Sequence, residues 1–264
     1  MMMAYITPPQ DNVFLTLFGI DIMWYGVIIG IGILLGVTLA TKEAVRYGLD
    51  EDHFTSMLLW AIPIAVVGAR LYYVLFNLDY YTQNPGQIIN IRQGGLAIYG
   101  GIIAALITAY IYCKKKDMNF LTATDAAMPG VALGQAIGRW GNFVNQEAYG
   151  GPTDLPWGML IDGEIVHPTF LYESLFNGAL VLFLLWYGRK KRKHPGEVLF
   201  LYMIGYGIAR LFIEGLRTDS LYLGVFRVSQ LVSIVGIVLG IVGLWALRQK
   251  KEQKNGSKKK RRKN

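Results

Sequence analysis

The sequence predicts an all-α integral membrane protein with about seven transmembrane helices, the amino terminus outside, the carboxyl terminus in the cytoplasm and a small extracytoplasmic cap. Three observations predict it. Of 264 residues, 53% are hydrophobic and 17% charged, and the mean hydropathy of +0.35 is too high for an ordinary soluble domain. Seven apolar stretches are each long enough to cross about 30 Å of hydrocarbon. Lys42 and Arg46, Lys114–Lys116, Arg189–Lys193 and the tail from Arg248 hold all but six of the 26 basic residues, and the positive-inside rule puts these groups in the cytoplasm.

Residues 1–19 carry no Lys or Arg and so lack the basic n-region of a cleavable signal peptide; the first apolar segment, 20–41, is expected to be retained. The second segment, 54–76, contains Arg70 within Gly68-Ala69-Arg70-Leu71-Tyr72-Tyr73. Residues 77–95, rich in Tyr, Gln and Asn around Pro85-Gly86, predict a short helix or ribbon at the interface. The third segment, 96–113, ends at Cys113, whose lack of a partner points to a small packing residue. The fourth, 119–138, is interrupted by Asp125 and Pro129; proline is tolerated where neighbouring helices satisfy the freed carbonyl.

Residues 139–169 contain Gly150-Gly151-Pro152, Pro156-Trp157-Gly158 and Asp162-Gly163, turn signals that predict an outer cap with hairpin character. Segments 170–188, 197–215 and 228–247 complete the set, so residues 1–247 form one membrane domain. The tail, 248–264, is polar and basic and is expected to be a disordered cytoplasmic extension near anionic headgroups. It accounts for the net charge of +8, so the basic balance gives no reason to expect a nucleic-acid partner. No internal repeat supports an inverted-repeat transporter.

The densest polar stretch is Gly138-Arg139-Trp140-Gly141-Asn142-Phe143-Val144-Asn145-Gln146-Glu147-Ala148-Tyr149-Gly150. A guanidinium fork suits phosphate oxygens, asparagines such as Asn142 and Asn145 add neutral donors and acceptors, and glycines let backbone approach a ligand; the stretch reads as an anion-binding loop at the bilayer edge. Tyr206, Arg210, Glu214 and Arg217 share a helical arc about 80° wide. A charge inside a span costs at least about 2.5 kcal/mol, so Arg210 faces protein, water or ligand. An internal Arg210–Glu214 pair that holds helices together is the structural reading of the same residues.

Tyr99 lies between Gly94-Gly95 and Gly100-Gly101, which serve close helix packing or expose the phenol. Arg70 either snorkels or adds a third guanidinium to the anion site. Tyr25, in Trp24-Tyr25-Gly26, is an interfacial anchor or a hydroxyl lining the site. His167 is the one histidine expected outside, and so a proton acceptor there or plain loop surface. The sequence has no His-Glu-x-x-His helix, cysteine cluster, Gly-x-Ser-x-Gly elbow or phosphate-binding Gly-x-x-x-x-Gly-Lys loop, and no metal site is expected.

The block Gly138–Gly150, supported by Gly94–Gly101, His167-Pro168-Thr169 with Leu171-Tyr172-Glu173, and Tyr206/Arg210/Glu214/Arg217, resembles the prolipoprotein diacylglyceryl transferases of bacterial inner membranes. The resemblance runs from about Trp24 to Arg217. It implies transfer of the diacylglyceryl group of phosphatidylglycerol to the lipobox cysteine of a preprolipoprotein signal peptide, with release of glycerol 1-phosphate and no cofactor. By that likeness Arg139 and Arg210 are the phosphate-binding pair, with Asn142, Glu147, Gly150, Tyr25, Tyr206 and Glu214 shaping the site. Some members place a histidine where this chain has Tyr99. An unperturbed phenol, pKa near 10, is a poor base at neutral pH, so Tyr99 is expected to orient the thiol or phosphate by hydrogen bonding. An anionic-lipid binding or transport protein, and another phospholipid headgroup transferase, are the alternative readings.

Overall fold

Each apolar segment read from the sequence is occupied by a helix of 18 residues or more. The computed structural model describes residues 5–91 and 94–261, with side chains as far as Gln249. In chain order, strands β1 (Val13–Leu17) and β2 (Ile20–Met23) precede helices α1 (Trp24–Arg46), α2 (Glu51–Leu75), the short α3 (Leu78–Gln83), α4 (Ile98–Lys115) and α5 (Phe120–Val144). Strands β3 (Met159–Ile161) and β4 (Glu164–Val166), helices α6 (Thr169–Lys190) and α7 (Glu197–Glu214), strands β5 (Tyr222–Leu223) and β6 (Phe226–Arg227), and helix α8 (Val228–Arg261) follow.

Four stretches are long and apolar enough to cross a membrane: Trp24–Arg46, Glu51–Leu75, Thr169–Lys190 and Val228–Gln249. Their apolar side chains are largely exposed, Leu34 by 66%, Leu182 by 71% and Trp245 by 62%. In water such continuous apolar surface invites aggregation, whereas in hydrocarbon it faces its own kind. The other three long helices carry more polar sequence: α4 ends on Lys114-Lys115, α5 contains Asp125, Gln135 and Arg139, and α7 contains Glu197, Arg210 and Glu214.

Three boundaries differ from the sequence reading. Residues 20–23 are a strand, so the first helix begins at Trp24; Phe18 and Gly19 both take positive φ in the two-residue loop that closes the hairpin. The stretch from Arg139 is no loop at first. Helix α5 continues through Gly141 and Asn142 to Val144 and ends where Gln146 and Ala148 adopt positive φ, so Arg139 and Asn142 stand on its last turns. Helix α8 continues as backbone to Arg261, past Arg248 where the tail was expected to begin; the tail's side chains from Lys250 lie outside those described.

The chain forms two compact units, residues 41–123 and the remainder. In the larger, a glycine seam joins α1 to α5: a Cβ added at Gly36 would lie 2.7 Å from the Gly130 carbonyl oxygen. Met128 and Ala132 of α5 share an apolar core with Leu180, Val181 and Leu184 of α6 and Val198 of α7. The fully buried Asp125 carboxylate caps α7 from outside that helix, accepting from the backbone N–H groups of Gly196 (2.7 Å) and Leu199 (2.8 Å) and from Arg192 Nε (2.8 Å). Between α5 and α6 the chain forms the β3–β4 hairpin, turned at Asp162-Gly163, with Ile6 pairing alongside Met159 and Pro152 bridging to Val166.

In the unit of residues 41–123, α2 and α4 meet at Gly68 and Gly100, where a Cβ on Gly68 would approach the Gly100 carbonyl oxygen to 2.8 Å. The expected surface segment is α3 followed by a 3-10 turn at Pro85–Gln87.

Candidate functional site

Helices α5, α6 and α7 bring five charged side chains together, and the centre is a residue to which the sequence reading gave no separate role. Glu173 lies one turn inside α6, its side chain 4% exposed, and its two oxygens are shared between the two arginines singled out from sequence. Arg139 Nη2 is 2.6 Å from Glu173 Oε2, and Arg210 Nη1 donates to Glu173 Oε1 at 2.9 Å. Arg210 also pairs with Glu214, one turn along α7, at 2.6 Å. Arg217, just past the end of α7, holds its Nη1 3.9 Å from Glu173 Oε1. The signal for Glu173 was legible: a carboxylate one turn into an apolar segment is costly unless cations surround it.

Neighbouring residues fix this cluster. Arg139 Nη1 donates to Asn142 Oδ1 at 3.1 Å, and Asn142 Nδ2 donates to Glu147 Oε1 at 2.8 Å, so three of the predicted residues form one chain. Tyr25 packs its ring on Gly141, where an added Cβ would lie 2.8 Å from the ring. Gly150 packs against His167, Thr169 and the Leu216 carbonyl; its Cβ would lie 2.7 Å from His167 Cβ. Its N–H donates to His167 O and that of Gly151 to Leu216 O, both at 3.0 Å, which ties the turn bearing Arg217 to the end of α5.

Arg217 donates to both oxygens of Asp219, at 2.9 and 2.7 Å. These bonds hold the Asp219 carboxyl below its ordinary range, against the opposing effect of burial. Burial works against the Arg217 charge, but Asp219, Glu173 and Glu214 together outweigh it and the guanidinium is held above its usual value.

Other predicted residues stand apart from the cluster's contacts. Tyr206 stacks on Tyr202, with ring centroids 5.7 Å apart. The His167 ring meets the Tyr172 hydroxyl at 3.4 Å, and Trp157 Nε1 donates to that hydroxyl at 3.1 Å. Asn145 lies in the turn after α5, its N–H bonded to Gly141 O. Arg70 and Tyr99 belong to the unit of residues 41–123. Arg70 gives all its N–H groups to backbone: Nε to Ile88 O, Nη1 to Gly94 O and Gly95 O, Nη2 to Gln87 O and Asn90 O, at 2.6–2.9 Å. With every N–H group taken by backbone, this guanidinium has no donor left for a phosphate. Tyr99 sits, half-buried, in the first turn of α4.

Chemically, the cluster is a set of guanidiniums held close by buried carboxylates. Arg139 donates to Asn142 and pairs with Glu173, and Arg210 donates to Glu173 and pairs with Glu214, so each retains donors from its complement of five. Cations preorganised in this way suit an anion in which charge grows during reaction.

The sequence profile of the family described as Prolipoprotein diacylglyceryl transferase matches residues 12–246. A protein of Finegoldia magna named phosphatidylglycerol–prolipoprotein diacylglyceryl transferase is 57% identical over 233 residues, 88% of this chain and 94% of that protein. Proteins of the same name from Clostridioides difficile and Bacillus mycoides are 52% and 49% identical, covering 88% and 89% of this chain and 94% and 91% of their own. With the profile spanning most of its length and such relatives covering nearly all of it, the chain belongs to the prolipoprotein diacylglyceryl transferase family.

Proposed function

We propose that this protein transfers the diacylglyceryl group of phosphatidylglycerol to the lipobox cysteine thiol of a preprolipoprotein signal peptide, releasing glycerol 1-phosphate, at the outer face of a bacterial cytoplasmic membrane. The observation that carries the reading is the Glu173-bridged pair Arg139 and Arg210, half-buried towards the ends of their helices with donors to spare. The names of its relatives supply the substrates. Seven crossings, amino terminus out and carboxyl terminus in, set this pair toward the outer leaflet.

The sulfur attacks the glyceryl carbon that bears the phosphate ester. A C–S bond forms as the C–O bond breaks, and glycerol 1-phosphate leaves with the electron pair and a second negative charge. Arg139 and Arg210 stabilise that growing charge more than the ground state, which is the condition for lowering the barrier. Asn142 and Glu147 hold Arg139 in orientation, Glu214 and Arg217 flank Arg210, and Tyr25, Asn145, Gly150 and Tyr206 shape the lipid site. The nucleophile is the substrate's thiol, with a free pKa near 8.5, so a cationic environment raises its thiolate fraction. Tyr99 orients the reacting groups by hydrogen bonding, and His167 is the candidate acceptor of the thiol proton.

The test is glycerol phosphate release by purified protein in phosphatidylglycerol micelles with a lipobox peptide carrying Cys or Ser. Release is expected with the Cys peptide alone and is expected to fall at least about 100-fold in Arg139→Ala. Lipid binding without release would instead favour an anionic-lipid carrier.

A further inference from the structure

We propose that Arg70 is a positioning residue for Tyr99, acting through the backbone of Gly94 and Gly95 and not by contact with lipid. The inference rests on the reading that Tyr99 hydrogen-bonds the reacting groups. Arg70 is 7% exposed, and five backbone carbonyls between Gln87 and Gly95 take up its five N–H groups. The acceptors lie in two stretches, Gln87–Asn90 and Gly94–Gly95, and one planar fork holds the backbone of both in place. Arg70 Cζ also lies over the rings of Tyr81 and Tyr73, 5.2 and 5.9 Å from their centroids.

The stretch from Gly94 leads into α4 and so to Tyr99. Three consecutive residues of α2 each hold one point on the way into α4. Arg70 binds the carbonyls of Gly94 and Gly95, Ala69 O accepts from the N–H of Ala97 at 3.0 Å, and Gly68 packs against Gly100. Ala97 is the residue before α4, and Tyr99 is the second residue of that helix. Gly94 and Gly95 have φ of +86° and +74°, and a Cβ on Gly95 would collide with Arg70 Nη1 and come within 3.0 Å of the Tyr73 ring. The glycines before Tyr99 are thus explained by the clamp: backbone must reach the guanidinium in a conformation that a side chain would block.

Arg70→Lys keeps the charge but replaces a five-donor fork with a compact three-donor ammonium. The expected result in the release assay is a fall in kcat of roughly 10- to 100-fold with KM for phosphatidylglycerol changed by less than about twofold, the pattern of a displaced reacting group. Gly95→Ala, which leaves the guanidinium intact and blocks its seat, is expected to do the same. In a Tyr99→Phe background neither substitution is expected to reduce kcat further, because the group being positioned is already gone.

A rise in KM with kcat preserved in Arg70→Lys would overturn the proposal in favour of a direct lipid contact. Losses that multiply with Tyr99→Phe would overturn it while leaving the role of Tyr99 standing. Full turnover in Tyr99→Phe would remove both. Thermal unfolding in micelles monitors folding, and if Arg70→Lys does not fold, Gly95→Ala carries the comparison alone.

Discussion

At the scale of single residues, the informative group is Glu173. Two guanidiniums brought close together repel each other, and a buried carboxylate between them removes that repulsion while fixing the fork of each. Glu173→Gln keeps the shape and removes the charge, leaving Arg139 and Arg210 to face a neutral amide whose NH2 end opposes one of them. Losing one partner of a buried ion pair costs about 3 kcal/mol or more, so kcat/KM for glycerol phosphate release is expected to fall at least about 100-fold, with a lower Tm in micelles. Retention of wild-type kcat/KM would show that the two arginines hold their places without it. Arg139, Asn142, Glu147 and Arg210 were legible in the sequence because polar residues beside apolar spans are costly. Glu173 stood in a quoted motif without a role of its own, because its partners come from helices far apart in the chain.

At the scale of elements, the site depends on how α5 and α7 are held. Asp125 caps the first turn of α7, and Arg210 and Glu214 lie at the other end of that helix. Tyr25 and Arg139 lie on α1 and α5, whose backbones touch at Gly36 and Gly130. Gly36→Ala places a methyl group 2.7 Å from a backbone oxygen, which cannot give way as a flexible side chain would. It is expected to destabilise by about 1–3 kcal/mol in thermal unfolding and to lower turnover. Gly178→Ala, on α6 with nothing within 4 Å of the added Cβ, is expected to be neutral or stabilising by up to about 1 kcal/mol. Equal Tm values for the two variants would mean that the seam is loosely packed. The sequence marked these helices by their apolar runs, but not the hairpin before Trp24, whose strands continue the apolar pattern, nor the extra turns of α5. The stretch from Arg139 was read as a loop from its polar residues and glycines, yet two isolated glycines lower helix propensity by only about 1 kcal/mol each, and Gly141 is packed against the Tyr25 ring.

At the scale of the whole molecule, the face on which the proposed reaction is expected follows from one helix and its charges. Helix α6 is long and apolar enough to cross a membrane. It carries Glu173 near its first turn and Arg189 and Lys190 in its last, so the arginine cluster and the basic turn lie at opposite ends of one span. At 1.5 Å per residue, 22 residues reach about 33 Å, enough for the hydrocarbon core. Positive charge is retained on the cytoplasmic side during insertion, so the cluster is expected to face outward, where exported substrates arrive. The only cysteine, Cys113, is 1% exposed, and Cys113→Ala gives a background for accessibility labelling. Asp154→Cys, exposed in the segment before β3, is expected to react with an impermeant maleimide in intact spheroplasts. Lys191→Cys, exposed just beyond α6, is expected to react only after permeabilisation. The reverse pattern would put the Glu173 cluster in the cytoplasm, and the proposed outer-face transfer would then fail even if the purified protein released glycerol phosphate in micelles.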